Sequence, residues 1–383
     1  MGISVYTYLE PVARRLTDLI HERLGIPVIW GGIHAIIAPE ACLKYADIVC
    51  VGDGELALPP LLEQIAQGVE PLQAATDGLI PNLITRKSAD ITRKRVENLD
   101  ELPFINYTDE KYLYIKGLKV SERWPFPKSL CMKTLHISTS RGCPYNCSYC
   151  SAHLQHKHYP GKPPVRRRGV EHVIGELTNA CKRNPLFDYV FFWDDVFFLN
   201  LEWLREFAPR YRREVGLPFF AYGHPNTIKP EALELAITAG LKDVGMGIQA
   251  GPTLSRDIFK RPYHPERLQK VANLLHSYNI MPTYDIIQGN PLAQKEDHRE
   301  LLDLLLQLPH PFILNTHDLH FFPGYQITEQ ARKKGLLPET SQKSKAERNY
   351  VWDGVLHPSR SREQLAWDGL YYLCGCRYVP RTV

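Results

Sequence analysis

Three thiols stand within eight residues of this chain, in Arg141-Gly142-Cys143-Pro144-Tyr145-Asn146-Cys147-Ser148-Tyr149-Cys150, spaced Cys-x3-Cys-x2-Cys. A loop that short can fold around one corner of an iron–sulfur cube, each thiolate taking one iron. Three ligands for four irons leave one iron open, and an open metal position usually serves chemistry rather than architecture. The rival reading is a structural zinc site built from Cys143, Cys147, Cys150 and His153, since three thiolates and an imidazole are ordinary zinc ligands. Such sites usually draw their ligands from two separate turns, whereas here all four would crowd one loop. Disulfides fit less well: nine cysteines is an odd number, and no signal-peptide pattern precedes them. Cys42, Cys50, Cys131 and Cys181 lie in apolar runs and read as small buried hydrophobes. Cys374 and Cys376, in Leu373-Cys374-Gly375-Cys376, could bind a metal or form an exchangeable pair, with a structural role the favoured reading.

The elements that must hold this loop follow from the pattern around it. From 134 to about 320, short β-rich runs alternate with helical stretches, the sign of successive βα units and a parallel sheet. Strands are expected at 134–139, 189–193, 219–222, 243–249, 281–288 and 312–318, with helices at 170–182, 201–213, 230–239, 266–277 and 295–306. Six units predict an open, partial (β/α)6 barrel, because a closed TIM barrel takes eight. Ligands of such folds gather at the carboxyl ends of the strands. The cysteine loop falls there, after strand one, and Asp194-Asp195 falls there after strand two. Asp195 also precedes a helix, where Asp is a favoured cap.

At 383 residues the chain has room for one large unit and a smaller one. A content of 44% hydrophobic and 23% charged residues is that of an ordinary globular protein. No apolar run approaches the roughly 20 residues of a membrane span, and a net charge of +4 is too small to argue for nucleic acid. The basic run at 162–168, Lys-Pro-Pro-Val-Arg-Arg-Arg, reads as a solvated loop. Free thiols and an oxygen-sensitive cluster point to the cytoplasm of a cell able to work with little oxygen.

The cysteine spacing, with aromatic Tyr149 just before the last thiol, resembles the signature of the radical S-adenosylmethionine (radical SAM) superfamily. The resemblance covers roughly residues 20 to 335. It implies a [4Fe–4S] cluster on Cys143, Cys147 and Cys150, SAM on the fourth iron, and reductive cleavage of SAM to a 5′-deoxyadenosyl radical. It further implies a flavodoxin- or ferredoxin-type electron donor. By position it assigns SAM contacts to Tyr149, Asp194, Asp195, and Gln249 and Gly251 of Gly247-Ile248-Gln249-Ala250-Gly251. The chain departs from many relatives at Gln288-Gly289-Asn290-Pro291 after strand five, and at Tyr222-Gly223-His224 after strand three, where an Arg is common. Phe322-Pro323-Gly324-Tyr325 resembles a segment of cobalamin-linked members.

Residues 1–66 show a second, doubly wound (flavodoxin-like) βα pattern. Strands at 25–30 and 47–51 enter Gly31-Gly32 and Gly52-Asp53-Gly54-Glu55, and paired glycines at strand ends let a flat ligand approach the backbone. Tight turns of any doubly wound sheet read the same way. With Ser4-Val5-Tyr6 the text resembles the latter half of a cobalamin-binding domain, placing Ser4, Gly31, Gly32, Gly52, Gly54 and Glu55 in a cobalamin remnant. That resemblance expects further βα units before Ser4, so residues 1–383 are expected to bind cobalamin poorly. The division is then 1–66 partial cobalamin-type domain, 67–130 linker, 131–322 radical SAM barrel and 323–383 a mainly helical region, which either covers the barrel or packs as a tail. The activities left open are cobalamin-linked methyl transfer or rearrangement, hydrogen abstraction without cobalamin, and a non-catalytic zinc module. The substrate is not legible.

Overall fold

Side-chain alternation builds the larger unit. In each barrel strand, every second residue enters a core between sheet and helices, as with Leu135 and Ile137, Val190 and Phe192, and Phe219 and Ala221. The remaining residues turn to the lumen. The computed structural model describes residues 1–88, 92–107, 112–116, 119–122, 133–337, 351–352, 355–356 and 361–375. Cys131, Cys376, Tyr350 and the side chain of Trp352 lie outside the described residues.

The N-terminal unit is a sheet of β1 (Gly2–Ser4), β2 (Ile29–Gly31), β3 (Ile48–Cys50) and β4 (Leu83–Ile84), in that order. The first three are parallel and β4 is antiparallel to β3. Helix Glu10–Leu24 returns the chain from β1 to β2 and stops at Gly25, whose φ of 62° only glycine adopts freely. Fully buried Trp30 anchors this unit, its Nε1 donating to Thr17 Oγ1 at 2.9 Å. β4 comes from the stretch read as linker; a two-residue apolar run is too short to announce a strand.

The barrel strands are β5 (Thr134–Ile137), β6 (Tyr189–Phe192), β7 (Phe219–Gly223), β8 (Leu241–Gln249), β9 (Pro282–Gln288) and β10 (Ile313–Asp318). They form one parallel six-stranded sheet in sequential order, with β5 and β10 at its edges. The expected six βα units and α/β class are therefore present. Helix Arg362–Gly375 packs on helix Lys295–Gln307, where Trp367 stacks on His298 at 5.7 Å and Tyr371 Oη lies 2.9 Å from His298 Nδ1. The helix is thus a packed element beside β10.

The stretch from Asn98 to Tyr107 runs beside the β5 edge and is fixed through Glu176, a carboxylate only 2% exposed. Ile105 N donates to Glu176 Oε1 at 3.3 Å, Tyr107 Oη lies 2.9 Å from the same oxygen, and Arg168 pairs with Oε2. Removing one partner of a buried ion pair leaves the other charge uncompensated. Glu176→Ala should therefore cost about 3–5 kcal/mol, read as a lower urea midpoint at constant slope. A loss below about 1 kcal/mol, the value of an exposed pair, would show that the pair is solvated in solution.

Candidate functional site

The cysteine loop is pinned by its backbone, which leaves its sulfurs for other work. Ser148 N donates to Phe259 O at 2.9 Å and Ser148 Oγ to Ile258 O at 2.7 Å, while Ile327 N donates back to Ser148 O at 3.0 Å. His156 Nε2 lies 2.7 Å from Cys143 O. Gly142 has φ 95°, and a Cβ there would meet Pro164 O at 2.1 Å. Only glycine can open this loop. Burial pushes the Cys143 thiol up to about 12, and burial likewise raises Cys150. Thiolates here need positive charge beside them, as iron would provide.

One such charge belongs to the chain. Arg261 Nη1 points at Cys147 Sγ at 3.7 Å, while Nε and Nη2 donate to Gly247 O at 3.2 and 3.1 Å. A cation beside a ligating sulfur tunes a metal site from outside the ligand set. The sequence gives no warning of Arg261, since a lone arginine in a loop carries no pattern.

Asp194 and Asp195, expected as a pair, are separated by the fold. Asp194 is fully buried; its Oδ2 accepts from Thr139 N at 2.9 Å, and its Oδ1 accepts from Thr139 Oγ1 at 2.6 Å and from Ser140 Oγ. That carboxylate braces the root of the cysteine loop. Asp195 instead is exposed and opens onto a cavity beside Arg141 and Gly142. Partial desolvation there, with Asp194 adjacent, raises its carboxyl above the usual range. Neither Asp caps the next helix, because Asn200 Oδ1 accepts from Trp203 N at 3.0 Å.

The arginine run read as solvated is largely buried. Arg166, Arg167 and Arg168 have side chains 10%, 11% and 10% exposed, facing Asp53, Asp194 and Glu176 respectively. Their acidic partners are distant in sequence, which is why a local reading missed them. Arg166 Nη1 donates to Asp53 Oδ2 at 2.6 Å, and Arg141 Nη2 to Glu55 Oε1 at 2.6 Å. These bonds join the N-terminal unit to the cysteine loop.

The other expected residues scatter. Tyr149 packs edge-on to Phe259 at 4.9 Å, and burial holds its hydroxyl well above the usual range. Gln249, at φ 71° in a register shift of β8, folds over Gly247 beside Arg261. Gly251 lies against helix Lys295–Gln307, where a Cβ would meet Glu300 Oε2 at 2.7 Å. The mouth also holds buried polar atoms without hydrogen-bond partners among the described residues: His224 Nε2, Asn226 Oδ1, Gln288 Nε2 and Asn290 Nδ2. His224 Nδ1 accepts from Asn226 N at 3.1 Å, and the ring stacks on Tyr145 at 4.1 Å. Burial, with Arg261 and Arg267 nearby, lowers it to about 2, so the ring is neutral and Nε2 carries the unpaired proton. Orphaned donors and acceptors at strand ends suit a polar ligand with both kinds of group, such as SAM.

The zinc alternative fares poorly. His153 Nδ1 lies 2.5 Å from Cys150 O and Nε2 3.3 Å from Gly324 O, so both ring nitrogens face carbonyls. Among the described residues no three His, Cys, Asp or Glu side chains are grouped to hold a single ion. The donor set that remains is three thiols spread over one loop. It fits a cube that takes one thiolate per iron.

The cobalamin remnant fits less well. Gly32 lets the chain approach Ser4 and Val5, and the space beside Gly52 is filled by the Asn82 side chain, 2.5 Å from an added Cβ. Gly31 has only ordinary contact with Cys50, Gly54 likewise with Leu58, and Glu55 is held by Arg141. The cavity at this joint, between Val51-Gly52-Asp53 and Arg141, Gly142 and Asp195, measures about 270 Å³. It is small beside the ~300–1,000 Å³ of pockets that enclose drug-sized ligands.

An open parallel half-barrel with a three-thiol loop at the carboxyl end of its first strand defines a radical SAM domain. Residues 137–305 match the Radical SAM superfamily, a family that implies a [4Fe–4S] cluster and SAM. The chain is 24% identical over 349 residues to an uncharacterized methyltransferase of Pyrococcus horikoshii, spanning 88% of this chain and 70% of that protein. It is 23% identical to the bacteriochlorophyllide d C-8(2)-methyltransferase of Chlorobaculum tepidum, spanning 88% and 69%. The fold resembles the radical SAM methyltransferase TsrM of Kitasatospora setae, solved with cobalamin and a [4Fe–4S] cluster. The TM-score is 0.63 at 19% identity, covering 87% of this chain and 64% of that one. No described helix is long and apolar enough to cross a membrane.

Asp194→Ala should strip three buried donors, Thr139 N, Thr139 Oγ1 and Ser140 Oγ, of their acceptor, costing roughly 3 kcal/mol or more, with iron per chain falling alongside. Asp195→Ala should leave the melting temperature within about 2 °C, an effect below roughly 1 kcal/mol, while weakening SAM binding to the reconstituted protein. Calorimetry of both variants checks this pair. Equal melting losses in the two would mean that Asp195 is a brace as well.

Proposed function

We propose that this chain is a radical SAM methyltransferase whose substrate enters the lumen of the half-barrel. The observation that carries the reading is the three-thiol loop, pinned at the strand ends by hydrogen bonds of Ser148, with a cation, Arg261, set beside Cys147 Sγ. Cys143, Cys147 and Cys150 would hold the cluster. Asp195, Gln249 and the unpaired His224 Nε2–H would orient the amino-acid and ribose portions of SAM. When bound, the cluster supplies an electron and SAM the one-carbon or radical group. The chain's own part is positional. Arg261 offsets negative charge at Cys147, Gly142 opens the loop, and Asp194 fixes its root to β6. Methyl transfer, rather than another outcome, is supported by similarity across most of the chain to proteins named methyltransferases.

Anaerobic reconstitution tests the reading. The chain should take up about four irons, turn brown, and with a reductant convert SAM to 5′-deoxyadenosine or S-adenosylhomocysteine. Any single Cys143, Cys147 or Cys150→Ala change should abolish that conversion while leaving the fold's circular dichroism intact. A triple variant without iron that still consumes SAM would refute it. Equilibrium dialysis should show only weak uptake of hydroxocobalamin at the joint of about 270 Å³; tight, stoichiometric uptake would show that the cobalamin-type unit is sufficient for binding.

A further inference from the structure

We propose that the lumen is a site for a planar aromatic substrate that presents a cationic nitrogen to Asp285. This rests on the reading above and names the class of molecule that the radical chemistry would meet.

One wall is aromatic. Phe191 of β6 stacks on Phe220 of β7 at 4.4 Å and 14°, Tyr222 meets Phe220 edge-on at 4.7 Å, and Trp193 lies 4.3 Å from Phe191. Trp193 is 53% exposed, yet it is held in place, its Nε1 donating to His136 Nδ1 at 2.9 Å. A fixed indole with half its surface bare offers a stacking face, whose use by a flat ring is favoured over leaving both in water.

The next strand is bare where it passes this wall. A Cβ at Gly245 would lie 2.6 Å from Tyr222 and 2.7 Å from Phe220. The glycine therefore makes room for the rings and leaves β8 flat between β7 and β9.

Across that strip stands a carboxylate with one oxygen held. Asp285 Oδ1 accepts from Asn315 Nδ2 at 2.7 Å and lies 3.3 Å from His317 Nε2. Its Oδ2 has no hydrogen bond among the described residues, and Asp285 is only 8% exposed. Asn315 and His317 fix the carboxylate plane without using its second oxygen. Tyr222 pairs in register with Gly245, and Asp285 with Gly247 two residues on, so acid and aromatic wall lie on the same face of the sheet. An oriented carboxylate of low exposure facing aromatic rings recognises an N–H cation carried on a flat ring, by a charge-assisted bond and by stacking together.

Two probes share one ring and differ in charge: tryptamine and indole-3-acetate. Titration calorimetry on the reconstituted, SAM-bound chain should show tryptamine binding at least about tenfold more tightly, the value of one charge-assisted contact. In Asp285→Asn the difference should shrink below about threefold, and Phe220→Leu should weaken both probes. Equal affinities for the two probes in the unaltered chain, or no binding of either, would overturn the inference whether or not the variants fold. The unaltered chain's SAM cleavage separates the failures. Cleavage without probe discrimination sinks the aromatic-cation site alone, and absence of cleavage at full iron content sinks the radical SAM methyltransferase reading beneath it.

Discussion

The mouth of the half-barrel hangs from one buried carboxylate. Asp194 lies two residues beyond β6, and its oxygens reach across to Thr139 and Ser140 at the root of the cysteine loop. Fully enclosed, it must satisfy its acceptors internally, since an unpaired buried charge is far costlier than a bonded one. The neighbours that do so are the residues from which Arg141 and Gly142 depart. Strand pairing brings β5 and β6 together; Asp194 then sets the direction in which the chain leaves. Arg167, 4.0 Å from the same carboxylate, links this brace to the hairpin of Ser140–Arg141 with Arg166–Arg167. Loop position, hairpin and interface with the N-terminal unit thus descend from a single electrostatic requirement.

Much of the barrel was legible because buried parallel strands write themselves as continuous apolar runs. Tyr189–Phe192 and Phe219–Gly223 carry such runs, and turn residues bound them. The cysteine loop was legible because ligand spacing within one turn is a property of adjacent residues. What escaped was short or distant. β4 and the hairpin at Ser140–Arg141 are two-residue pairings, below the length at which alternation shows. The acidic partners of Arg166 and Arg168 lie in other elements, so a buried ion-pair set read locally as a basic, solvated loop.

The site itself divided along the same line. Asp194 and Asp195 are identical in type and neighbours in sequence, yet alternation along an extended chain sends them to opposite environments. The resemblance could place both at the strand end but could not say which faces the cavity. Arg261, Asp285, Asn315 and His317 have no motif at all. Each is an ordinary polar residue until the fold sets it beside its partner, and the His317–Asp285 distance of 3.3 Å is created by the β9–β10 register alone.

The open order of the sheet has a consequence for size. In a closed barrel the ring of ladder bonds fixes the bore, because widening it breaks hydrogen bonds somewhere around the circumference. Here β5 and β10 are not paired with each other. The span between the aromatic strands and β9–β10 is set by sheet twist, which changes by small rotations at every interface without losing a single ladder bond. A half-barrel of this kind behaves as a hand whose fingers spread. Molecules of quite different breadth can be gripped by one constellation at the fingertips, and the gauge of the cargo is set by whatever packs across the gap.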